Sequence, residues 1–217
     1  MIDPNLSAAE YAKYKLIMAA IRLFGESGVN AVSLREINRV AGAKNNSALH
    51  YHFGDKIGLV SAVIDFIQEG FNKERRSGLT KLKQRTKSQP VTVDEIMQVF
   101  IEPYVAVIEH NDWGYNAVRA IARMEFDGDA KVHEMLNTSA GPAVRTMLVL
   151  LRSVLPELPP KLLKQRINFS LNSVIQGFAD HKNLHQSYLG NLAVKDLNQL
   201  ATIYRLMTVA MLSAPEP

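Results

Sequence analysis

The chain has 217 residues, 47% of them hydrophobic and 21% charged, so it can form one large or two small domains around a substantial core. It contains no cysteine, which excludes disulfides and thiolate metal sites and is typical of a reducing compartment. No stretch approaches roughly 18 uninterrupted apolar residues, and the amino-terminal residues lack the basic region and apolar core of a signal peptide. We therefore expect a cytoplasmic protein with no membrane contact.

The net charge of +4 is unevenly distributed along the chain. Residues 1–87 contain 14 Lys and Arg against 8 Asp and Glu, whereas the remaining residues contain 11 against 13. A basic surface at one end of a protein is the electrostatic footprint of nucleic-acid binding. The distribution therefore favours the amino-terminal part as the end that would face DNA.

Two amino-terminal helices are predicted to begin at capping boxes, in which a serine and a glutamate three residues later bond to each other's backbone N–H groups. The box at residues 7–10 opens a helix that runs to about Phe24. The second box, Ser33 with Glu36, opens a short helix that Gly42 ends. Apolar residues recur at helical spacing in both segments, so each helix has one buried side.

A third short helix is predicted after the glycine turn, with Asn45 or Asn46 as its N-cap. Leu49 and Phe53 lie four residues apart and form its inner side. The outward side chains can hydrogen bond or stack at base edges and phosphates, as a helix in the major groove must. They are Asn46, Ser47, His50, Tyr51 and His52, preceded by Lys44. The alternative is a solvated helical hairpin whose polar face has no function.

A fourth helix is predicted from Lys56, with Asp55 as its candidate cap. A cation beside the N–H groups of a helix N-terminus suits a phosphate oxygen. Farther along, residues 73–90 are polar and basic and contain Gly78 and Pro90, so we predict a linker there. The predicted division is a helix-turn-helix domain over 1–72, a linker over 73–90 and a helical domain over 91–217.

Beyond the predicted linker, every strong periodicity is helical. A third capping box, Thr92 with Glu95, opens one helix. Further helices are expected from about Asp112, over 130–137, from Gly141-Pro142, from about Lys161 into the 180s, and from about Leu192 to Leu212. No alternating strand pattern of useful length is present. The predicted fold is all-α, with about nine helices.

The last two predicted helices combine small and apolar residues. Small residues let helices approach closely, and an apolar surface on two neighbouring helices can form a four-helix bundle with a second copy of the chain. The predicted dimer interface consists of Ser170, Ser173, Val174, Gly177, Leu200, Ile203, Met207 and Met211. From spacing alone, these faces are equally suited to closing the protomer's own core.

The amino-terminal pattern resembles a known family. The capped first helix, the Ser-Leu-Arg-Glu-Ile and Ala-Gly motifs, the run Leu-His-Tyr-His-Phe-Gly-Asp-Lys at residues 49–56, and the apolar helix after it are similar to the DNA-binding domain of TetR/AcrR-type transcriptional regulators. The resemblance covers roughly residues 9–68. Residues 90–217 resemble the family only in length and helical pattern.

The resemblance implies an amino-terminal three-helix helix-turn-helix domain that reads a palindromic operator in double-stranded DNA. It also implies a carboxyl-terminal domain that forms a homodimer and binds a small effector, which releases the DNA and makes the protein a repressor. The positions that match DNA contacts of the family are Ser33, Arg35, Lys44, Asn45, Asn46, Ser47, Ala48, His50, Tyr51, His52 and Lys56. The turn between Gly42 and the aromatic triplet is one residue longer than is usual in the family.

The effector is expected to be small and mostly apolar. Its candidate contacts are Phe100, Tyr104, Trp113, Tyr115, Arg119, Met124, Met147 and Phe169, with Arg119 or Arg123 as an interior charge for an anionic group. Arg119 lies within an apolar helix, so its charge needs a partner if it is buried. The alternative is that these residues pack in the core and that Arg119 extends to water.

The sequence also bears on two other classes of protein, enzymes and metal-binding or interaction proteins. The chain contains no nucleophile elbow, no phosphate-binding glycine loop and no His-Glu-x-x-His motif, so we expect neither an enzyme nor a cofactor. His181 and His185 would face one metal ion if their helix continued through both. The alternative function is therefore a metal-binding protein or an all-helical protein-interaction module that does not bind DNA.

Overall fold

The computed structural model describes residues 7–43, 47–85 and 89–216. Within these ranges it contains nine α-helices and one 3-10 helix, and no strand, which confirms the predicted all-α class. The α-helices are α1 (Ala8–Ser27), α2 (Leu34–Ala41), α3 (Ser47–Phe53), α4 (Lys56–Arg85), α5 (Val93–His110), α6 (Gly114–Asp127), α7 (Ala130–Val154), α8 (Pro160–Asp180) and α9 (Leu197–Ser213). None of the described helices is long and apolar enough to cross a membrane.

The chain folds into two compact units. The first contains the residues up to Glu69 together with His110–Ser139, and the second contains Gly70–Glu109 together with the residues from Ala140 onward. Helices α4 and α7 each contribute residues to both units. This grouping differs from the domain division expected from the sequence, because residues 110–139 belong to the same unit as the amino-terminal helices.

In the first unit, α1 packs against α2, α3 and α6. The predicted capping box at its start is formed, since the Glu10 N–H lies 3.3 Å from the Ser7 hydroxyl and the Ser7 N–H lies 2.9 Å from the Glu10 carboxylate. Phe24 is fully buried near its end. A Cβ at Gly25 would lie 2.6 Å from the Asn116 carbonyl oxygen, so glycine is what lets α1 and α6 approach this closely.

In the second unit, aromatic rings of α4, α5, α8 and α9 meet in the core. The Tyr104 ring stacks on Phe178 at 5.2 Å between centroids, and its centroid lies 4.8 Å from that of Phe71. Helix α8 packs against α9 so closely that a Cβ at Gly177 would lie 1.8 Å from the Tyr204 hydroxyl oxygen. The glycine is therefore part of a helix contact within the protomer.

Two helices are longer than the sequence indicated. Helix α4 continues through Gly78 to Arg85, so most of the predicted linker is helical. Helix α7 is one helix across Pro142, where two were expected. Buried Leu136 and Met147 are eleven residues apart, which is close to three helical turns, so the apolar stripe stays on one face of α7 on both sides of the proline.

The boundaries in the last part of the chain also differ from the expectation. Helix α8 ends at Asp180 and is followed by a 3-10 helix over His181–Gln186. Helix α9 begins at Leu197 rather than near Leu192, because the Asp196 side chain accepts the Gln199 N–H at 2.8 Å and caps the helix there. The N-cap, and not the apolar residues before it, therefore determines where the helix begins.

Candidate nucleic-acid interface

Helix α2 is held at its start by Ser33. The Ser33 hydroxyl accepts a hydrogen bond from the Glu36 N–H at 3.1 Å, as the sequence predicts. The reciprocal bond of the capping box is not formed among the described residues. The Glu36 carboxylate instead lies 3.9 Å from the Arg39 guanidinium. The expected box is therefore half formed, and the hydroxyl half is sufficient to begin the helix.

Gly42 ends α2 in a left-handed conformation, with φ at 68°. Its N–H bonds to the Arg39 carbonyl at 3.2 Å, and the Ala43 N–H bonds to the Asn38 carbonyl at 3.0 Å. This pair of bonds is a Schellman motif, which satisfies the last carbonyls of a helix and turns the chain sharply. The motif sets the direction in which the chain leaves α2 toward α3.

Helix α3 has one buried and one exposed side. Leu49 is fully buried, whereas Tyr51 is 83% exposed and His50 is also exposed. His52 is half-buried, and its ring contacts the Tyr51 ring edge-on at 5.1 Å. Phe53, expected on the inner side, is half-buried. The helix therefore presents hydrogen-bonding aromatic side chains to the outside, as the sequence predicts.

The orientation of the His50 ring follows from one contact. Its Nδ1 lies 2.7 Å from the Gly54 carbonyl oxygen, which can only accept a hydrogen bond. Nδ1 therefore carries the proton, and in the neutral ring Nε2 is left as an acceptor. An acceptor at this place suits the exocyclic amino group of adenine or cytosine, which is a donor in the major groove.

The connection from α3 to α4 is built on two glycines and one aspartate. Gly54 has φ at 75°, and its N–H bonds to the His50 carbonyl at 3.0 Å. The Asp55 carboxylate accepts the Gly58 N–H at 2.8 Å, which confirms it as a cap of α4. A Cβ at Gly58 would lie 2.0 Å from the Phe53 carbonyl oxygen. The first turn of α4 can approach the end of α3 only because residue 58 is glycine.

Gly58 was not among the residues singled out from the sequence. A glycine in the first turn of a helix that is otherwise apolar weakens that helix, and such a position indicates a close backbone approach. That signal was present in the sequence. Lys56, in the same turn, is half-buried, and burial lowers the pKa of its ammonium group.

The structure brings the described DNA-contact candidates into the first unit. Ser33 and Arg35 are exposed at the start of α2, and Ala48 is half-buried on α3. Lys44, Asn45 and Asn46 lie outside the described residues. Ser47 is the first residue of α3, and its side chain is not among the described features.

The effector candidates do not fall within one unit. Trp113, Tyr115, Arg119 and Met124 belong to the first, whereas Phe100, Tyr104, Met147 and Phe169 belong to the second. Phe169 is 57% exposed rather than part of a cavity wall. Arg119 is half-buried, and its guanidinium lies over the Tyr115 ring at 5.6 Å. Arg123 donates from Nε to the Gly25 carbonyl at 3.1 Å. Both predicted interior charges therefore have partners within the protein.

Only some residues of the predicted dimer interface are exposed to solvent in the protomer. Ser170, Val174 and Leu200 are buried within the protomer, where α8 packs against α9. Ile203 and Met207 remain exposed on α9. Phe169 and Leu206, which were not in the predicted set, are exposed large apolar residues on the same two helices. Ser173, Gly177 and Met211 are intermediate.

The histidine pair does not form a metal site. His181 and His185 lie in the 3-10 helix, where residues four apart are rotated by about 120° and do not face the same side. Their Nδ1 atoms lie 2.7 Å from the Phe178 carbonyl and 2.8 Å from the Lys182 carbonyl, respectively. In the described part of the chain, no three metal-ligating side chains come together. The condition on which the metal alternative depended, a helix that continues past Asp180, is not met.

Comparisons with solved structures identify the same fold in other proteins. The fatty acid degradation regulator FadR from Bacillus halodurans aligns over 99% of this chain and 100% of its own, with a TM-score of 0.64 and 12% sequence identity. The transcriptional regulator FadR from Bacillus subtilis, solved in complex with stearoyl-CoA, aligns over 91% and 98%, with a TM-score of 0.60 and 15% identity. At these identities the similarity concerns the fold alone.

Sequence comparisons identify the family to which the chain belongs. A curated relative, the HTH-type transcriptional dual regulator CecR from Shigella flexneri, is 47% identical over 66 residues, which span 29% of this chain and 29% of that protein. Residues 16–63 match the family model of bacterial regulatory proteins of the tetR family. Residues 98–211, more than half of the chain, match the model of the tetracyclin repressor-like carboxyl-terminal domain. The chain belongs to the TetR family of bacterial transcriptional regulators.

Proposed function

We propose that the protein is a homodimeric repressor that binds a palindromic operator through α3 and is released from it by a small effector. The observation that carries the proposal is the separation of the two sides of α3. Leu49 anchors the helix in the core, while Tyr51 and His50 are exposed beside it. The Schellman motif ends α2 before this helix, and the capped start of α4 follows it.

In this proposal, one set of side chains contacts the bases and another set contacts the phosphates. The Tyr51 hydroxyl and His50 Nε2 are placed to reach base edges in the major groove. Ser33, Arg35 and Lys56, at the starts of α2 and α4, are placed to bind phosphates, which fixes the position of α3 but carries no sequence information.

The homodimer is proposed to form through α8 and α9. The residues left exposed by the packing within the protomer are Phe169, Ile203, Leu206 and Met207. A second copy of the chain would cover them in a four-helix bundle. A dimer that reads two half-sites one helical turn apart places its two α3 helices about 34–36 Å from each other.

Release by an effector requires that the ligand bind the DNA-free conformation more tightly than the DNA-bound one. The FadR structure with stearoyl-CoA shows that a protein of this fold can hold a small ligand. For this chain, effector release is supported by membership of the family.

A gel-shift experiment with the full chain tests DNA binding. The probe is the promoter region beside the protein's own gene, at physiological salt and with a polyanion competitor. Tyr51→Ala is expected to weaken binding about tenfold through the loss of a base contact. Tyr188→Ala is the matched control, because Tyr188 is also a highly exposed tyrosine but lies in the other unit. Equal binding by wild type and Tyr51→Ala would remove Tyr51 from the interface. No preference for the probe over the competitor would instead favour a protein-interaction module.

A further inference from the structure

A cavity of about 400 Å³ lies between α4 and α5, inside the second unit. Arg75, Gly78 and Leu82 line it from α4, and Val99 and Pro103 line it from α5. The two helices approach closely at one point, where a Cβ at residue 78 would lie 2.8 Å from the residue 99 side chain. The volume falls within the range of small-molecule sites.

The guanidinium of Arg75 is the buried charge of this cavity. The residue is only 7% exposed. Its Nη1 donates to the Asn72 side-chain oxygen at 2.8 Å, and its guanidinium carbon lies 5.0 Å from the centroid of the Phe100 ring. Its Nε is buried and has no hydrogen-bond partner within the described residues. No described carboxylate forms an ion pair with it.

Another buried arginine of the same unit, Arg166, has hydrogen-bond acceptors for its guanidinium. Arg166 donates to the carbonyl oxygens of Leu212 at 3.1 Å, Ala214 at 2.5 Å and Pro215 at 2.7 Å. Three backbone acceptors thus compensate the burial of its charge, whereas Arg75 has a single side-chain acceptor. The difference lies in the surroundings, because both residues are buried to the same extent.

The other charged residues that line the cavity are Glu74, Lys81, Arg85, Glu95 and Glu102, and none of them forms an ion pair with Arg75 within the described residues. Arg85 and Glu95 form an ion pair with each other. Glu102 accepts a hydrogen bond from the Gln98 side-chain amide at 2.5 Å. Burial lowers the pKa of Arg75, yet an arginine side chain keeps its proton at neutral pH. A buried cation with an unused donor is stabilised by an anionic partner, so an anion that entered this cavity would be favoured beside Arg75.

We propose that this cavity binds the carboxylate or phosphate group of a small organic anion. Arg75 lines this cavity, and a guanidinium holds such groups through charge-assisted hydrogen bonds. The apolar part of the ligand would pack against Leu82, Val99 and Pro103. That this anion is the effector rests on the proposed function, whereas the binding itself does not depend on it.

The first experiment measures ligand binding to the full chain at pH 7.5 by calorimetry and by thermal unfolding. The probes are hexanoate, its neutral amide hexanamide, and inorganic phosphate, so that carboxylate, uncharged tail and phosphate are compared separately. At least one of the two anions is expected to bind and to raise the unfolding temperature, and hexanamide is expected to do neither. The proposal is overturned if neither anion binds or if hexanamide binds as tightly as hexanoate.

The second experiment places the site. Arg75→Met is expected to weaken binding of the anion about 10- to 100-fold, because a charge-assisted contact is lost. Without ligand, the same variant should unfold at an unchanged or higher temperature, since an uncompensated buried charge is removed. The matched control is Arg76→Met, an exposed arginine one position along α4, which should bind the anion like wild type. Unchanged binding in Arg75→Met, or equal losses in both variants, would contradict the proposal.

Should Arg75→Met fail to fold, Ala106→Phe provides an independent test. Ala106 lines the cavity from α5, so a phenyl group there fills the space and leaves Arg75 in place. The anion is expected to lose binding to this variant as well. Binding by Ala106→Phe at wild-type strength would place the anion elsewhere and overturn the assignment.

Operator affinity is measured separately with the same probes. If the anion binds through Arg75 but leaves operator affinity unchanged, the site stands and its role as the effector site is rejected. If other small molecules release the operator while neither anion binds, effector control stands and this site is rejected. The two proposals therefore fail by different results.

Discussion

The α3 segment of the first unit, by which we mean α3 with the start of α2 and the first turn of α4, contrasts with the α8–α9 pair of the second unit. The two differ in whether the chain itself covers their predicted functional residues. Within α3, Leu49 is fully buried and Tyr51 is mostly exposed, so the inner and outer sides are cleanly separated. In the α8–α9 pair, Ser170 is buried within the protomer while Met207 is 53% exposed. Helical periodicity thus identifies residues that share a face, but not whether the chain itself covers that face.

The small residues of α8 show why the predicted dimer interface includes residues that are buried within the protomer. Small residues allow a close helix contact in either case, whether the neighbouring helix belongs to the same chain or to a second copy. Here Gly177 faces Tyr204 of the same protomer. An interface with a second copy must therefore use the residues that this contact leaves outside, such as Phe169 and Met207.

The largest effect is expected for Gly58→Ala, which tests whether the α3 segment depends on its backbone contact with α4. The added Cβ would lie 2.0 Å from the Phe53 carbonyl oxygen, and a backbone atom cannot move away as a flexible side chain can. We expect a loss of about 1–3 kcal/mol in the free energy of unfolding, measured with urea, together with loss of operator binding.

Gly141→Ala is the control for this substitution. Gly141 is also helical, but the nearest atom to its added Cβ is the Arg145 guanidinium nitrogen at 2.9 Å, which can move. Alanine is the better helix former by about 1 kcal/mol, so stability should stay the same or rise. Normal operator binding and normal stability in Gly58→Ala would show that α3 is not positioned by this contact.

Much of the α3 segment was predictable because its signals are local. Ser33, Gly42 and Asp55 act through backbone groups within a few residues of themselves. Ser33 and Asp55 accept N–H groups at the starts of α2 and α4, and Gly42 ends α2, as predicted. The capping boxes at residues 7–10 and 92–95 are formed for the same reason. The glycine at position 58 indicates a close backbone approach, but which backbone atom it meets depends on how α3 and α4 pack.

The α4–α5 cavity was not predicted, because it depends on contacts between distant residues. Arg75 belongs to a polar, basic stretch whose composition predicts a linker. Its spacing from buried Phe71 and Leu82 is four and seven residues, which places all three on one side of a helix. The pattern indicates a shared face, yet only the packing of α5 shows that this face is buried and that the charge has no counter-ion.

An intermediate effect is expected for Met207→Glu, which tests whether the exposed part of the α8–α9 pair is an interface. A carboxylate in the centre of an apolar contact between two copies would be desolvated without a partner. We expect the variant to be monomeric by light scattering at concentrations where the wild type is a dimer, and to bind the operator more weakly as a result.

The control for this charge is Val149→Glu on α7, where an exposed apolar residue lies outside α8 and α9. This variant should keep the oligomeric state of the wild type. A wild type that is monomeric at all concentrations would refute the proposed homodimer. A dimer that persists in Met207→Glu would place the interface on another surface of the chain.

The smallest effect is expected for Lys56→Ala, which separates phosphate binding from base reading within the α3 segment. A phosphate contact contributes equally on every DNA sequence, so the variant should weaken binding to operator and to unrelated duplex by a similar factor. The slope of log affinity against log salt should fall by about 1, since one fewer counterion is released. Lys131→Ala, which removes an exposed lysine of α7, should leave the slope unchanged. A Lys56→Ala variant with the wild-type slope but altered sequence preference would mean that this ammonium group contacts a base, and that the first turn of α4 enters the groove along with α3.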